Sequence, residues 1–298
     1  MLDKITPAGT ALSPAQTDQY WQDGYLFPIR AMSQSDAAQM RQELEALEKE
    51  WLDNGLPLPL NTYKRINAQI VMPIAHRIGM HAGILDIVQG ILGPDIMLYS
   101  VEFLIKEPAT KAVVTMHQDL TYWGMGEIDG LTTAWLALSP ATTASGCMDF
   151  VRGSHKNPIL PHEDSFDADN LLSRGQEIAV EVDEADATAI ELAPGQMSLH
   201  HGLMFHASGP NISADRRIGV AIRYLNPAAR QEVADKDYAM LVRGRDTTGN
   251  FINFAPPDEL FAPRSLRLYE DIRAAQATTL AAGAKTGVGM YAATKGAV

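Results

Sequence analysis

The chain has 298 residues, 46% of them hydrophobic, enough for a substantial core in one large domain or two small ones. Its net charge of -12 excludes long-range attraction to nucleic acid or to an anionic membrane, since both need a basic face, and leaves small molecules as the expected partners. The single cysteine, Cys147, excludes an internal disulfide framework and a cysteine-rich zinc site, which suits a reducing cytoplasm.

Met1 to Pro7 carries no apolar targeting core, and no later apolar run approaches the ~20 residues of a membrane span, so a soluble cytoplasmic protein is expected. Ser13 and Pro14 predict a first helix that runs through Tyr20 and Trp21 and stops at Gly24, with a short strand over 25–29 behind it. Ser33 or Ser35 caps a second helix, whose apolar positions Ala37, Met40, Leu44, Leu47 and Trp51 recur every three or four residues until Asn54-Gly55 ends it. A third helix runs from His81 to Gly93, with Ile84, Ile87, Val88, Ile91 and Leu92 on its apolar side.

Beyond about residue 96 the pattern changes to short apolar or alternating segments separated by Pro, Gly and Asn. It predicts strands over 96–106, 111–119, 131–138, 147–152, 187–192, 196–206 and 217–225. Helices followed by strands, without βαβ alternation, give an α+β class with a mainly β core, a sandwich or barrel carrying N-terminal packing helices. Residues 162–191 hold ten acidic residues against Arg174 alone. Their spacing lacks the glycine and terminal glutamate of a calcium loop, so a solvated connection is expected. The Ala-, Thr- and Gly-rich tail from about residue 274 reads as a loosely held helix or an unstructured end.

Chemistry concentrates at Thr115-Met116-His117-Gln118-Asp119. On a strand, His117 and Asp119 leave the same face, and an imidazole beside a carboxylate supplies two of the three ligands of the 2-His-1-carboxylate triad for non-haem Fe(II). A distant histidine must complete it, and His206 is the candidate. Its rivals are His200, which shares its face if 196–206 is one strand, and His201, which opposes it; either could orient a ligand by hydrogen bonding. His155 reads as a turn residue. Eleven positions after His206, Arg217 begins the apolar strand Ile218 to Ile222, where a guanidinium can point inward and hold a carboxylate bidentately. Ser208 could add a hydroxyl to that carboxylate, and Trp135 by itself reads as core.

Five separated motifs carry a resemblance: His117-Gln118-Asp119-Leu120-Thr121-Tyr122-Trp123, Thr133-Ala134-Trp135, Gly146-Cys147-Met148, Gly153-Ser154-His155, and His206-Ala207-Ser208-Gly209-Pro210-Asn211 with Arg217. Over roughly residues 10–227 the chain resembles the phytanoyl-CoA dioxygenase family of Fe(II)/2-oxoglutarate oxygenases. The resemblance implies a double-stranded β-helix (jelly roll), with packing helices over about 10–95, a core over about 96–227 and an extension over about 228–298, all one oxygenase domain. It implies Fe(II) on His117, Asp119 and His206, with 2-oxoglutarate and O2 as cosubstrates. Arg217, Ser208 and Trp135 fall at family positions lining the pocket for the far carboxylate. Ser100 falls where ectoine hydroxylase and its relatives place a glutamine near the other carboxylate. Arg152 stands where many members have proline. Related halogenases replace the aspartate by alanine, so Asp119 favours hydroxylation, with release of succinate and CO2.

Tyr122, Trp123 and Met125, just past the first ligand pair, are expected to line the substrate, and Glu102 is either solvent-facing or a buried carboxylate awaiting a cation. A non-catalytic jelly roll that binds metal or an acidic ligand is the rival reading. A zinc hydrolase finds no support, since neither His-Glu-x-x-His nor Gly-x-Ser-x-Gly occurs. Besides a small-molecule substrate, the one further partner considered is a second copy of the chain in a homo-oligomer.

Overall fold

Ser13 opens the first helix as its sequence dictates. Its hydroxyl accepts the Gln16 N–H and the Gln16 side chain returns a bond to the Ser13 N–H, closing a capping box ahead of Pro14. The computed structural model describes residues 11–164, 176–178 and 187–281. Helix α1 (Pro14–Asp23) ends at Gly24, whose φ of +87 lets the chain turn left-handed into strand β1 (Tyr25–Arg30). Ser33 caps α2 (Gln34–Trp51), which stops three residues short of Asn54-Gly55. Two helices too short to show a periodicity, α3 (Leu60–Arg65) and α4 (Pro73–Gly79), precede α5 (Ala82–Leu92).

Two antiparallel sheets follow. The larger has the order β1, β9 (Gln196–His201), β4 (Leu131–Ala137), β11 (Arg217–Leu225), β2 (Ile96–Lys106) and β13 (Met240–Arg243). The smaller has the order β3 (Val114–His117), β10 (His206–Ser208), β5 (Met148–Val151) and β8 (Ala187–Ile190). These are the facing sheets of a jelly roll, with the helices on the outside of the larger one. Alternation along the strands decides which side each residue serves. Ile218, Val220, Ile222 and Tyr224 of β11 join Val101, Phe103, Leu136 and Leu199 in the core under the helices. The opposite parity of the larger sheet, with Trp135, Ala137 and Ala221, meets Met148 and Phe150 of the smaller sheet. Arg217, Gly219 and Arg223 share the parity of Ala221 and face the space between the sheets.

Two strand expectations are corrected. The segment 196–206 is two strands in different sheets, because Gly202-Leu203 turns the chain across the gap. The segment 111–119 is strand only over Val114–His117, and Asp119 begins a single 3-10 turn, Asp119–Tyr122. Beyond residue 228, β13 adds an edge to the larger sheet and α6 (Pro263–Ala281) places Tyr269 and Ile272 in the main core. Within the acidic segment, β6 (His162–Asp164) pairs antiparallel with β7 (Gln176–Ile178) and Ala187–Ile190 is β8; the rest of the segment up to residue 186, and the tail past Ala281, lie outside the described residues. Short β12 (Asp237–Tyr238) and β14 (Phe251–Ile252) pair in parallel. Among the described residues no helix is long and apolar enough to cross a membrane.

Candidate metal centre

His117 at the end of β3 and His206 at the start of β10 are cross-strand partners, which brings their ring centroids to 4.0 Å. Asp119 reaches the same point from its turn, with Oδ1 3.6 Å from His117 Nε2 and 3.9 Å from His206 Nε2. One ligand atom from each lies within 4.8 Å of the others, and all three side chains are buried. Each imidazole is oriented by the backbone: Nδ1 of His117 donates to the Thr115 carbonyl at 2.8 Å, and Nδ1 of His206 to the Met204 carbonyl at 2.9 Å. Both Nε2 atoms therefore face the Asp119 carboxylate. Burial, reinforced by the neighbouring His117, holds His206 well below the usual histidine range, so it is neutral as a ligand must be. Burial alone would raise the Asp119 carboxyl, yet Arg223 and the histidines hold it well below the usual range. Two imidazoles and one carboxylate fit a divalent metal with open positions.

The second oxygen of Asp119 is held separately. Thr133 donates to Oδ2 at 3.2 Å, and His200 Nε2 lies 3.6 Å from it. His201, the other rival, is turned away, accepting the Leu203 N–H and facing Asp129 at 3.2 Å. His155 bonds to the Trp21 carbonyl under α1.

Arg217 is 2% exposed and its guanidinium lies 5.3 Å from the Trp135 ring centroid. One donor reaches the Gly146 carbonyl at 2.5 Å, while among the described residues Nε has no partner and no carboxylate pairs with the guanidinium. Burial lowers its pKa to about 10. Trp135 can lie there because Gly219 has no side chain: a Cβ would sit 1.9 Å from the indole. Ser208 is buried nearby, its hydroxyl bonded by Lys106 Nζ at 2.7 Å. Burial, and then Arg217, push that lysine down to about 7.

Glu102 faces inward and is ion-paired with Arg223 at 2.7 Å, so its cation comes from the chain itself. Arg223 also donates to Ser100 at 3.3 Å, stacks 4.9 Å over Trp123 and stands 3.7 Å from Asp119 Oδ1. Met125 is fully buried among Leu120, Leu131 and Leu203, a packing position. Tyr122 lies in the 3-10 turn, and its side chain is outside the described ones. Sequence reading missed Arg223, Thr133 and Lys106. A parity count would have found two of them: Arg223 lies six residues after Arg217 on one strand, and Lys106 shares the parity of Ser100 and Glu102.

A jelly roll with two imidazoles, a carboxylate and an uncompensated buried arginine between its sheets defines the class of non-haem metal oxygenases with an acidic cosubstrate. The profile of phytanoyl-CoA dioxygenase (PhyH) matches residues 20–219, and the chain belongs to that family. A probable phytanoyl-CoA dioxygenase of Caenorhabditis elegans is 25% identical over 242 residues, 74% of this chain and 78% of its own length. A probable alpha-ketoglutarate-dependent hypophosphite dioxygenase of Stutzerimonas stutzeri is 30% identical over 198 residues, 63% of this chain and 66% of its own. Among solved structures, the apo form of the non-heme monooxygenase ThoJ superposes with a TM-score of 0.80 at 33% identity, covering 89% of this chain and 97% of that one.

Proposed function

We propose that this chain is an Fe(II)- and 2-oxoglutarate-dependent dioxygenase that hydroxylates an unactivated C–H bond of a small molecule. The observation that carries the reading is the pairing of two features in one buried space: a His-Asp-His cluster whose two Nε2 atoms converge on one carboxylate oxygen, and a guanidinium with no described carboxylate partner. His117, Asp119 and His206 would hold the iron. Bound there, Fe(II) supplies the O2-dependent oxidation that converts 2-oxoglutarate to succinate and CO2 and oxidises the substrate.

The chain's own work is positioning. Arg217 pairs with the far carboxylate of 2-oxoglutarate, with Ser208 beside it and the Trp135 ring as a flat, dry wall, while burial keeps water from competing for the guanidinium. Thr133 holds one oxygen of Asp119 and leaves the other for the metal. Trp123 and Glu102 form with Arg223 the wall where the prime substrate is expected, and Ser100, bonded to Arg223, stands by the other carboxylate of 2-oxoglutarate. Succinate formation under Fe(II), 2-oxoglutarate and air, screened for stimulation by candidate substrates, tests the assignment. A non-catalytic binding protein would consume no 2-oxoglutarate in an O2-dependent way.

A further inference from the structure

Among the described residues, the polar atoms buried between the sheets without a hydrogen-bond partner include Arg217 Nε, Trp135 Nε1, Ser198 Oγ and both nitrogens of His200. Strand register puts them along one tract. Across β4 and β9, Trp135 pairs with Ser198 and Thr133 with His200, and each pair shares the inner face of the larger sheet. Arg217 lies over Trp135 and marks one end. His200 marks the other, 1% exposed, with its ring 5.0 Å from His206 and 4.9 Å from Phe150. Buried polar atoms left unpaired are costly, and a tract of them is what a polar ligand would satisfy.

We propose that His200 is a further binding residue of this centre, donating an N–H to the carboxylate of a bound 2-oxo acid at the end beside the metal ligands, opposite the end held by Arg217. The inference rests on the reading of the pocket as a 2-oxoglutarate site and names a contact that reading does not contain. His200 is not a fourth metal ligand. It faces Asp119 through Oδ2, at 3.6 Å, whereas His117 and His206 converge on Oδ1. Nor is it a packing histidine in the manner of His201, whose two nitrogens are both engaged. Placed beside Asp119, an N–H of His200 would meet the carboxylate of a 2-oxo acid taken up at this centre.

The test uses the full chain with Fe(II) under anaerobic conditions, titrated with 2-oxoglutarate and, separately, with pyruvate, a 2-oxo acid that lacks the far carboxylate. The visible charge-transfer absorption of the complex reports binding. His200→Phe is expected to weaken both ligands by the same factor, about tenfold to a hundredfold, the value of one charge-assisted hydrogen bond. Arg217→Met should weaken 2-oxoglutarate and leave pyruvate unchanged. His200→Gln, which keeps a donor, should recover much of the binding. The fold should tolerate His200→Phe, since a phenyl ring replaces a buried imidazole that comes no nearer than 3.6 Å to Asp119 Oδ2, and His200→Leu serves if it does not. The inference is overturned if His200→Phe binds both ligands like the wild type, if its loss is confined to 2-oxoglutarate, if Fe(II) binding without ligand is what falls, or if His200→Gln loses as much as His200→Phe. A wild-type protein giving no absorption with 2-oxoglutarate sinks the functional reading and this inference together; wild-type absorption unmoved by the substitutions sinks the inference alone.

Discussion

Replacing Arg217 by Met separates function from stability, because the two should move in opposite directions. The guanidinium is 2% exposed, and its pKa falls from its ordinary value to about 10 because burial disfavours the charge. That drop corresponds to roughly 3 kcal/mol of destabilisation by a buried, unpaired cation. As the folded pKa is the depressed one, the penalty is complete at pH below about 10 and relieved only above the ordinary arginine range, so at neutral pH it is fully present. Met keeps most of the packing against Trp135 and loses the bond to the Gly146 carbonyl, about 1 kcal/mol. The net expectation at pH 7 is a gain of roughly 1 to 2 kcal/mol, a few degrees in Tm for a chain of this length. Cosubstrate affinity should fall instead, by about 2 to 5 kcal/mol, or thirtyfold to several thousandfold, as a charge-assisted bidentate pair is lost. Urea unfolding and anaerobic titration with 2-oxoglutarate measure the two arms. The neighbouring Arg216 is tied to Glu48 and Glu107 at the surface, so Arg216→Ala should leave the titration unchanged. An Arg217→Met protein that is less stable and binds 2-oxoglutarate normally would refute the argument, and a large effect confined to Arg216 would assign the cosubstrate to the wrong arginine.

Alanine at His117, Asp119 or His206 should abolish Fe(II) uptake, seen in an anaerobic metal titration, while circular dichroism shows a retained fold, because these groups serve the open side of the centre. Gly219→Ala would place a methyl 1.9 Å from the Trp135 ring; displacing the indole should cost about 1 to 3 kcal/mol in unfolding and weaken 2-oxoglutarate binding, and a neutral result would mean that the ring does not need its position. Burial holds Lys106 down to about 7 against 10.5 in the unfolded chain, so the unfolded state binds the extra proton and stability should rise with pH across that window. Lys106→Met should flatten this rise in urea midpoints measured from pH 7 to 10, and an unchanged slope would assign it to other groups.

What the sequence determined by itself was everything local. The capping box at Ser13, the apolar spacing of α2 and α5, and the alternation of 217–225 specify elements because each is a statement about neighbours three, four or two residues apart. His117, Asp119 and His206, with Arg217 eleven residues beyond the last, were legible as spaced residue types. Only the tertiary structure decided how they meet. His117 and Asp119 converge through a 3-10 turn and not through strand alternation, and the turn at Gly202-Leu203 carries His206 to the smaller sheet while His200 stays on the larger. The ion pair of Glu102 with Arg223, the support of Asp119 by Thr133 and the approach of Trp135 over Gly219 join residues 14 to 121 positions apart. Such contacts depend on which strands become neighbours and in what register. A local pattern carries no record of that choice, because it is made by how the whole chain closes its two sheets on one another.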